Sequence, residues 1–341
     1  MLLLFVAMEL YLSLFGQRLG IKDGLFEIIQ PDLAPFMVSQ SDVKNIWLSY
    51  STSISSAVVQ TCLDRKIGLW FVDKTGKTTG CLWDLKPGSI SLIRQKQNFF
   101  MRHSEGGKWA KKIIFHRMTL QSDLLIYLLK DRPGKIDDLE PLVSRIHLTK
   151  QKLELLSELP NKSMLASLRG LEGTAAKAYF EGLGKLMPPG FEFPCRSRQP
   201  ARDVFNALLN YCLGILYPLV YQNMLLAGLD PYIGIIHTAE YNRATGTYDL
   251  MENYRSWAEA AAASMCIKRW VKKEDFIFES EKVEILPECK EKIISFFLAF
   301  LDEVKQKGGK RLSRREHIKA DCHNLAQFLL HEFEVPETIE W

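Results

Sequence analysis

The sequence predicts an α+β protein in which a small N-terminal β domain, residues 1–90, precedes a larger all-α domain, residues 91–341. Three observations lead to this prediction. A chain of 341 residues has the length of about two domains. Its 47% hydrophobic and 25% charged residues are typical of a globular protein with a sizeable core. The period of its apolar residues changes from two to 3.6 near residue 91.

The β domain is predicted from alternating apolar residues and turn signals. Residues 10–15 alternate, and Asp23-Gly24 separates two apolar segments as a hairpin turn would. A second strand pair is expected at residues 67–72 and 80–83, with a turn at residues 74–77. We expect the tryptophans of this domain to lie on an exposed surface beside open strand edges. They are Trp47, Trp70 and Trp83.

The second domain is predicted to be helical. Residues 124–129, 207–213 and 293–298 carry apolar residues at helical spacing. Three segments rich in Gly, Pro and basic residues, 132–134, 188–190 and 307–309, are expected to interrupt the helices.

Charge and cysteine content limit the classes of function. The net charge is only +4, so any nucleic-acid surface must be local. The seven cysteines are scattered and form no C-x-x-C pair, which favours a reducing cytoplasm over a disulfide framework or a zinc ribbon. Apart from the short apolar start at residues 1–8, no run approaches the roughly 20 residues that span a bilayer, so no membrane partner is expected. We interpret residues 1–7 either as an extension of the first strand or as an overlong start with Met8 the true one, and we expect them to be dispensable.

Several familiar enzyme motifs fail on inspection. Gly76-Lys77-Thr78 ends like a phosphate-binding loop, but the position that needs the first glycine is Phe71, within a predicted strand. The sequence contains neither a G-x-S-x-G elbow nor an H-E-x-x-H motif. Nucleotide-dependent and acyl-transfer chemistry therefore have no support from motifs.

A carboxylate–imidazole set remains as a candidate metal site. Asp249 and Glu252 lie three apart in a stretch expected to begin a helix after residues 245–247, so both carboxylates should face the same way. His237 lies twelve residues upstream. Such ligands suit Mg²⁺ or Mn²⁺. An acidic first helical turn and a core histidine would explain the same residues, and spacing alone leaves both interpretations open.

Four motifs in fixed order resemble the CRISPR-associated adaptation integrase family. They are residues 169–173 (RGLEG), 196–209 (RSRQPARDVFNALL), 227–237 (AGLDPYIGIIH) and 249–255 (DLMENYR). The β domain and Arg94-x-x-Gln97 are also similar to the family. Residues 200–201 and 253–254 depart from the family pattern without removing a ligand.

The resemblance implies roles for particular residues. Glu172, His237 and Glu252 take the metal-ligand positions, and Asp249 is an accessory catalytic carboxylate. Arg255 takes a basic position where a cation could hold a phosphate beside the metal. The helix-start residues are expected to be structural, with Asp203 as the N-cap of the helix that carries Asn206.

The implied activity is that of a metal-dependent DNA endonuclease and integrase. It would insert short foreign DNA fragments into a CRISPR array by transferring their 3′-hydroxyl ends, with Mg²⁺ or Mn²⁺ as cofactor. The implied assembly is a homodimer, formed through the β domain, that joins a small ferredoxin-like subunit in a heterohexamer. Two alternatives stay open: a metal-dependent nuclease acting alone on branched DNA, and a non-catalytic DNA-binding scaffold.

Two basic segments are candidates for DNA contact. Between residues 94 and 117, seven basic residues accompany a single acid and several aromatics, a mixture suited to phosphates and frayed ends. From this segment we select Arg94, Lys111 and Lys112 as DNA-binding candidates, together with Arg255. A second basic segment spans residues 305–315. Solvated helix faces with aromatics turned to the core would explain the first segment as well as DNA contact does, and the second segment somewhat better.

Overall fold

A computed structural model describes residues 8–72, 78–82, 90–237, 241–307 and 310–334. The chain divides into two compact units, Met1–Gly88 and Ser89–Trp341. The first unit is built on β-sheets and the second is mostly helical, which confirms the predicted α+β class. Residues 1–7, the turn at residues 74–77 and Trp83 lie outside the described residues.

The described residues of the first unit form two four-stranded sheets and one α-helix. Its strands are β1 (Met8–Leu12), β2 (Arg18–Lys22), β3 (Leu25–Ile29), β4 (Phe36–Ser39), β5 (Val43–Ser49), β6 (Ser53–Ile54), β7 (Gly68–Val72) and β8 (Thr78–Cys81). One sheet has the order β1-β5-β7-β8 and the other β4-β3-β2-β6. Apolar residues of both sheets, such as Leu10, Phe26 and Ile46, join one buried core.

The predicted hairpins are confirmed. β2 pairs antiparallel with β3, with Lys22 opposite Leu25. Asp23 and Gly24 between them have φ angles of 50° and 74°, the positive values that a two-residue hairpin turn requires. β7 pairs antiparallel with β8.

Two features of this unit differ from the prediction. A helix, α1 (Ser56–Arg65), interrupts the β-structure, because β5 and β7 are parallel and need a crossover connection. The tryptophans expected on the surface are buried: Trp47 and Trp70 stack with ring centroids 5.4 Å apart and are 4% and 3% exposed. The alternation of residues along a strand does not reveal that both faces are covered.

The second unit is mostly helical, but not entirely so. Its helices are α2 (Ile90–Phe100), α3 (Ser104–Leu129), α4 (Ile136–Glu154), α5 (Lys162–Lys185), α6 (Val204–Leu226), α7 (Thr245–Met251), α8 (Arg255–Ile267), α9 (Pro287–Asp302) and α10 (Arg314–His331). Two antiparallel hairpins are added, β9 (Phe276–Glu279) with β10 (Lys282–Ile285) and β11 (Val304–Lys307) with β12 (Lys310–Ser313). The second basic segment therefore lies on a hairpin and the start of α10, not on one helix.

α6 is the central helix of this unit and packs against α7, α8 and α10. In the described residues it is the one helix long and apolar enough to cross a membrane, although 61% of its apolar window is buried inside the structure, as in a core helix. Asp203 caps it by accepting from the backbone N–H of Asn206 at 2.7 Å, which confirms the predicted N-cap. Asn206 also donates to the Cys195 carbonyl and so ties the preceding loop to the helix.

Candidate metal centre

Three predicted residues meet around one arginine that the sequence did not single out. Arg117, on α3, is 5% exposed, and its Nη1 lies 2.5 Å from Glu172 Oε1 on α5 and 2.5 Å from Glu252 Oε2 just after α7. His237 Nε2 lies 3.7 Å from the other Glu252 oxygen. Glu172, His237 and Glu252 are thus brought together from segments that are 65 and 15 residues apart.

α7 places its two carboxylates differently from the prediction. The helix begins at Thr245 and ends at Met251, so Asp249 lies in its last turn and Glu252 is its C-cap. The acidic pair therefore does not occupy a first helical turn, and the interpretation as an N-terminal dipole partner is wrong. The carboxylates also face different partners, because Asp249 turns to the His237 segment and Glu252 turns to Arg117.

Asp249 orients His237 from behind. Its Oδ1 lies 2.7 Å from His237 Nδ1 and also accepts the His237 backbone N–H at 3.0 Å. Its Oδ2 accepts the backbone N–H groups of Ile235 and Ile236 at 2.5 Å and 2.9 Å. Asp249 therefore holds the Nδ1 edge of the ring, and the Nε2 edge faces Glu252. Asp249 therefore orients His237 through these contacts.

Two glycines let the histidine segment approach α7 closely. A Cβ added to Gly234 would lie 2.7 Å from Gly246 N, and a Cβ added to Gly246 would lie 2.5 Å from the Ile233 carbonyl oxygen. The contact is completed by the Thr245 hydroxyl, which donates to the Tyr232 carbonyl at 2.8 Å. The backbone itself thus forms the contact that sets the position of His237.

Gln97, on α2, holds the same segment from the other side. Its amide group is fully buried and donates to the carbonyls of Asp230 and Ile233 at 2.9 Å and 3.0 Å, and accepts from Asp230 N–H at 2.8 Å. Gln97 was noted in the sequence only as part of the Arg94-x-x-Gln97 motif. Its partners lie more than 130 residues away, so no local pattern indicates this role.

A fourth carboxylate of this cluster, itself buried, was missed. Glu259, on α8, lies 3.9 Å from Arg117 Nη2 through its Oε1 and is 2% exposed. Its position four residues after Arg255 on α8 was the available signal, since that spacing keeps side chains on one helix face.

Burial and neighbouring charges shift the pKa values of this cluster in opposite directions. Burial raises the pKa of Glu252, but the charges of Arg117 and Arg255 outweigh it, so the pKa lies below its usual value. Burial also raises the pKa of Glu259, and here the arginines do not offset it. Burial disfavours the charge of Arg117, yet Glu252, Glu172 and Glu259 raise its pKa above the ordinary value. Glu252 is thus held as an anion and Arg117 as a cation.

The donor set fits a hard divalent cation in kind, although Arg117 stands at the cation position. No three His, Cys, Asp or Glu residues of the described chain are arranged to hold a metal in this conformation. However, two carboxylate oxygens already approach one positive nitrogen at 2.5 Å, close to the Mg²⁺–oxygen distance of about 2.1 Å. An imidazole nitrogen, Nε2 of His237, faces one of these carboxylates. Glu172, His237 and Glu252 are therefore the residues that would hold the metal.

A cavity of about 630 Å³ opens beside this cluster. Arg117, Glu172 and Glu259 form one part of its wall, and Arg255 lies beside them with its Nε 2.9 Å from Glu252 Oε1. Arg196 and Arg198 line another part. Burial and the neighbouring Arg198 lower the pKa of Arg196 to about 10. The cavity joins the carboxylates to basic side chains suited to phosphate.

The first basic segment is divided between structural and exposed residues. Lys111 donates to the carbonyls of Glu154 and Leu156 at 3.0 Å and 2.7 Å, and so caps the end of α4. Lys112 is exposed and Arg94 is half-buried. Phe100 is buried and meets the Trp109 ring edge-on at 6.1 Å, so these aromatics contribute to packing. Of the four selected DNA-binding residues, only Arg255 adjoins the cavity.

The second basic segment also has structural contacts. Arg314 donates to the Phe300 carbonyl at 2.5 Å and to Glu303 at 2.8 Å. Arg315 pairs with Asp302 at 2.8 Å. These arginines tie the start of α10 to the end of α9.

The architecture is that of Cas1-type proteins. A Cas1 protein from Thermotoga maritima superposes with a TM-score of 0.76 at 19% identity, covering 97% of this chain and 100% of that one. A casposase bound to an integration product gives a TM-score of 0.77 at 19% identity, with 96% and 92% covered. In a Cas6-RT-Cas1–Cas2 complex the TM-score is 0.74 at 21% identity, and the match covers 96% of this chain but spans 35% of that protein.

The chain belongs to the CRISPR-associated protein Cas1 family, whose model matches residues 10–298. It is 28% identical over 338 residues to a CRISPR-associated endonuclease Cas1 of Archaeoglobus fulgidus, covering 94% of this chain and 96% of that protein. Over 182 residues it is 36% identical to an endonuclease Cas1 of Thermus thermophilus, covering 52% and 55%. The predicted family resemblance is therefore confirmed, and the relatives that the chain matches are named CRISPR-associated endonucleases.

Proposed function

We propose that this protein joins the 3′-hydroxyl ends of short DNA fragments to a CRISPR repeat by metal-dependent strand transfer. The observation that carries the proposal is the convergence of Glu172, His237 and Glu252 beside a cavity with arginine walls. Relatives named endonucleases and a structural neighbour bound to an integration product support the same chemistry.

The residues divide the work as follows. Glu172, His237 and Glu252 hold Mg²⁺ or Mn²⁺, while Asp249 orients His237. A bound divalent ion would stabilise negative charge on the phosphodiester and lower the pKa of an attacking hydroxyl. Arg255 holds a phosphate beside the carboxylates. One phosphodiester replaces another, so no nucleotide triphosphate is required.

The assembly is part of the proposal. We propose a homodimer formed through the first unit, in contact with a small ferredoxin-like subunit in a heterohexamer. The structural neighbour from a complex containing Cas1 and Cas2 supports a partner of this kind. Exposed apolar side chains in the first unit, including Phe15 at 86% exposure, are candidates for burial between subunits.

Hydrolysis is the second candidate, favoured by the names of the relatives. A nuclease acting alone on branched DNA would use the same ligands with water as the nucleophile. The two activities are separated by their products, because transfer joins a labelled DNA end to the repeat plasmid and hydrolysis releases it.

A strand-transfer assay tests the proposal. His237→Ala and Glu252→Gln should each reduce transfer of a labelled 3′-hydroxyl duplex into a repeat plasmid by about 10²-fold or more, because each removes a ligand. The control Glu140→Gln changes an exposed carboxylate on α4 and should leave transfer unchanged. If Glu252→Gln retained full transfer, the site assignment would be wrong and a scaffold role would be favoured.

A further inference from the structure

Arg117 occupies a position that a divalent ion bound by Glu172 and Glu252 would need. A single nitrogen, Nη1, lies 2.5 Å from an oxygen of each carboxylate. Two centres of positive charge cannot share this space, so the guanidinium must move when an ion enters. The structure therefore raises the question of where a buried arginine goes.

Glu259 is the one acceptor placed to receive it among the residues described. Its Oε1 already lies 3.9 Å from Arg117 Nη2, which is too long for a hydrogen bond but short enough for a small movement to close. The Tyr179 hydroxyl is a neighbour of the Glu259 carboxylate, whose Oε2 makes no hydrogen bond of good geometry within the described structure. Arg117 Nε is likewise without a hydrogen-bond partner there.

The charges support this arrangement. Three carboxylates, Glu172, Glu252 and Glu259, face two arginines, Arg117 and Arg255. Leaving Arg117 without a carboxylate in a buried site would be strongly unfavourable. An exchange in which the ion takes Glu172 and Glu252 and the arginine takes Glu259 leaves Arg117 paired with a carboxylate throughout.

We propose that Arg117 is a built-in substitute for the catalytic cation and that Glu259 is the positioning residue that receives Arg117 when the cation binds. The inference rests on the proposed function, because it concerns the same metal centre. Glu259 thereby assists metal binding without being a ligand. Arg117 neutralises the carboxylates in the metal-free protein and competes with the metal for them.

Titration of the full-length, metal-free protein with Mn²⁺, followed by calorimetry, tests this without reference to activity. Glu259→Gln should weaken Mn²⁺ binding by about tenfold, a typical coupling between neighbouring sites. Arg117→Met should strengthen binding, because the competitor is removed. When Glu259→Gln is added to Arg117→Met, it should change the Mn²⁺ affinity by no more than about twofold, because Glu259 then has no arginine to receive. Glu181→Gln, an exposed carboxylate on the same cavity, is the control and should have no effect.

Each other outcome contradicts the proposal in a distinct way. If Glu259→Gln lowered the Mn²⁺ affinity equally with and without Arg117→Met, Glu259 would be a direct ligand. Weaker binding in Arg117→Met would show that the arginine assembles the ligands. Unchanged binding in Glu259→Gln alone would overturn the proposal even if Arg117→Met failed to fold. If the unaltered protein did not bind Mn²⁺, the proposed metal centre itself would be contradicted. If the unaltered protein bound Mn²⁺ and Glu172→Gln did not, the metal centre would be supported whatever the result for Glu259.

Discussion

At the scale of single residues, the two carboxylates of the motif at residues 249–255 make different contacts. Asp249 and Glu252 are three residues apart, yet the first accepts three backbone N–H groups and the His237 imidazole, and the second faces Arg117. The two residues also differ in their place on α7, because Asp249 lies in its last turn and Glu252 is its C-cap. Two carboxylates of one motif therefore differ in role, because Asp249 orients His237 and Glu252 is one of the ligands that we propose.

Asp249→Asn tests the orienting role. The amide has one oxygen where the carboxylate has two, and its NH₂ group would face backbone donors, so we expect the free energy of unfolding to fall by about 2 kcal/mol. The imidazole would also lose the carboxylate that orients it, and Mn²⁺ binding should weaken. Urea unfolding and Mn²⁺ titration measure both effects. Asp131→Asn, at an exposed position, should change neither, and a stable Asp249→Asn protein with unaltered Mn²⁺ binding would refute the role.

At the scale of elements, the centre depends on an irregular segment, residues 230–237, held between two helices. α2 supplies the Gln97 amide and α7 supplies Asp249 and the close contact between Gly234 and Gly246. Irregular backbone has no internal hydrogen bonds of its own, so its buried polar groups need partners from elsewhere. The position of His237 is therefore set by long-range contacts.

Gln97→Leu would remove those contacts from one side. It leaves a buried N–H and two carbonyls of the segment without their partner, and we expect a loss of about 2–3 kcal/mol in the free energy of unfolding. Hydrogen exchange should accelerate at residues 230–237 more than in the core of α6. Gln95→Leu makes the same substitution at an exposed position of α2 and serves as control. Equal exchange in both variants would show that α7 alone fixes the segment.

At the scale of the whole molecule, the α-helical unit contains all of the candidate centre. Glu172, His237 and Glu252 come from α5, an irregular segment and the end of α7, while the first unit contributes sheets with their own core. The first unit is thus available for assembly. This division agrees with the roles that we propose for the two units.

Light scattering at micromolar concentration tests the assembly. We expect a mass near twice the 39.1 kDa of one chain, because a symmetric interface through the first unit would bury its exposed apolar side chains. Phe15→Glu places a charge at an 86% exposed apolar position and should shift the equilibrium toward the monomer if this surface is the interface. A monomer at all concentrations in the unaltered protein would contradict the proposed homodimer.

Sequence alone determined the fold class, the hairpin at Asp23-Gly24, the N-cap at Asp203 and the family. These features depend on hydrophobic period, local turn chemistry and motif order, which are all properties of short segments. The ligand candidates Glu172, His237 and Glu252 likewise followed from motifs. In the first unit, α1 and the burial of Trp47 and Trp70 were not predicted. Both depend on how the strands pair and on what covers their faces, which the pattern along one strand does not show.

Only the tertiary structure decided how the centre is built. Arg117 looked like one basic residue of a DNA-binding segment, and its burial among three glutamates arises from the packing of α3 against α5 and α8. Gln97 and Glu259 acquired their roles in the same way. A buried charge or amide is defined by the groups that surround it, and these groups come from distant parts of the chain because the low-polarity interior favours only paired arrangements.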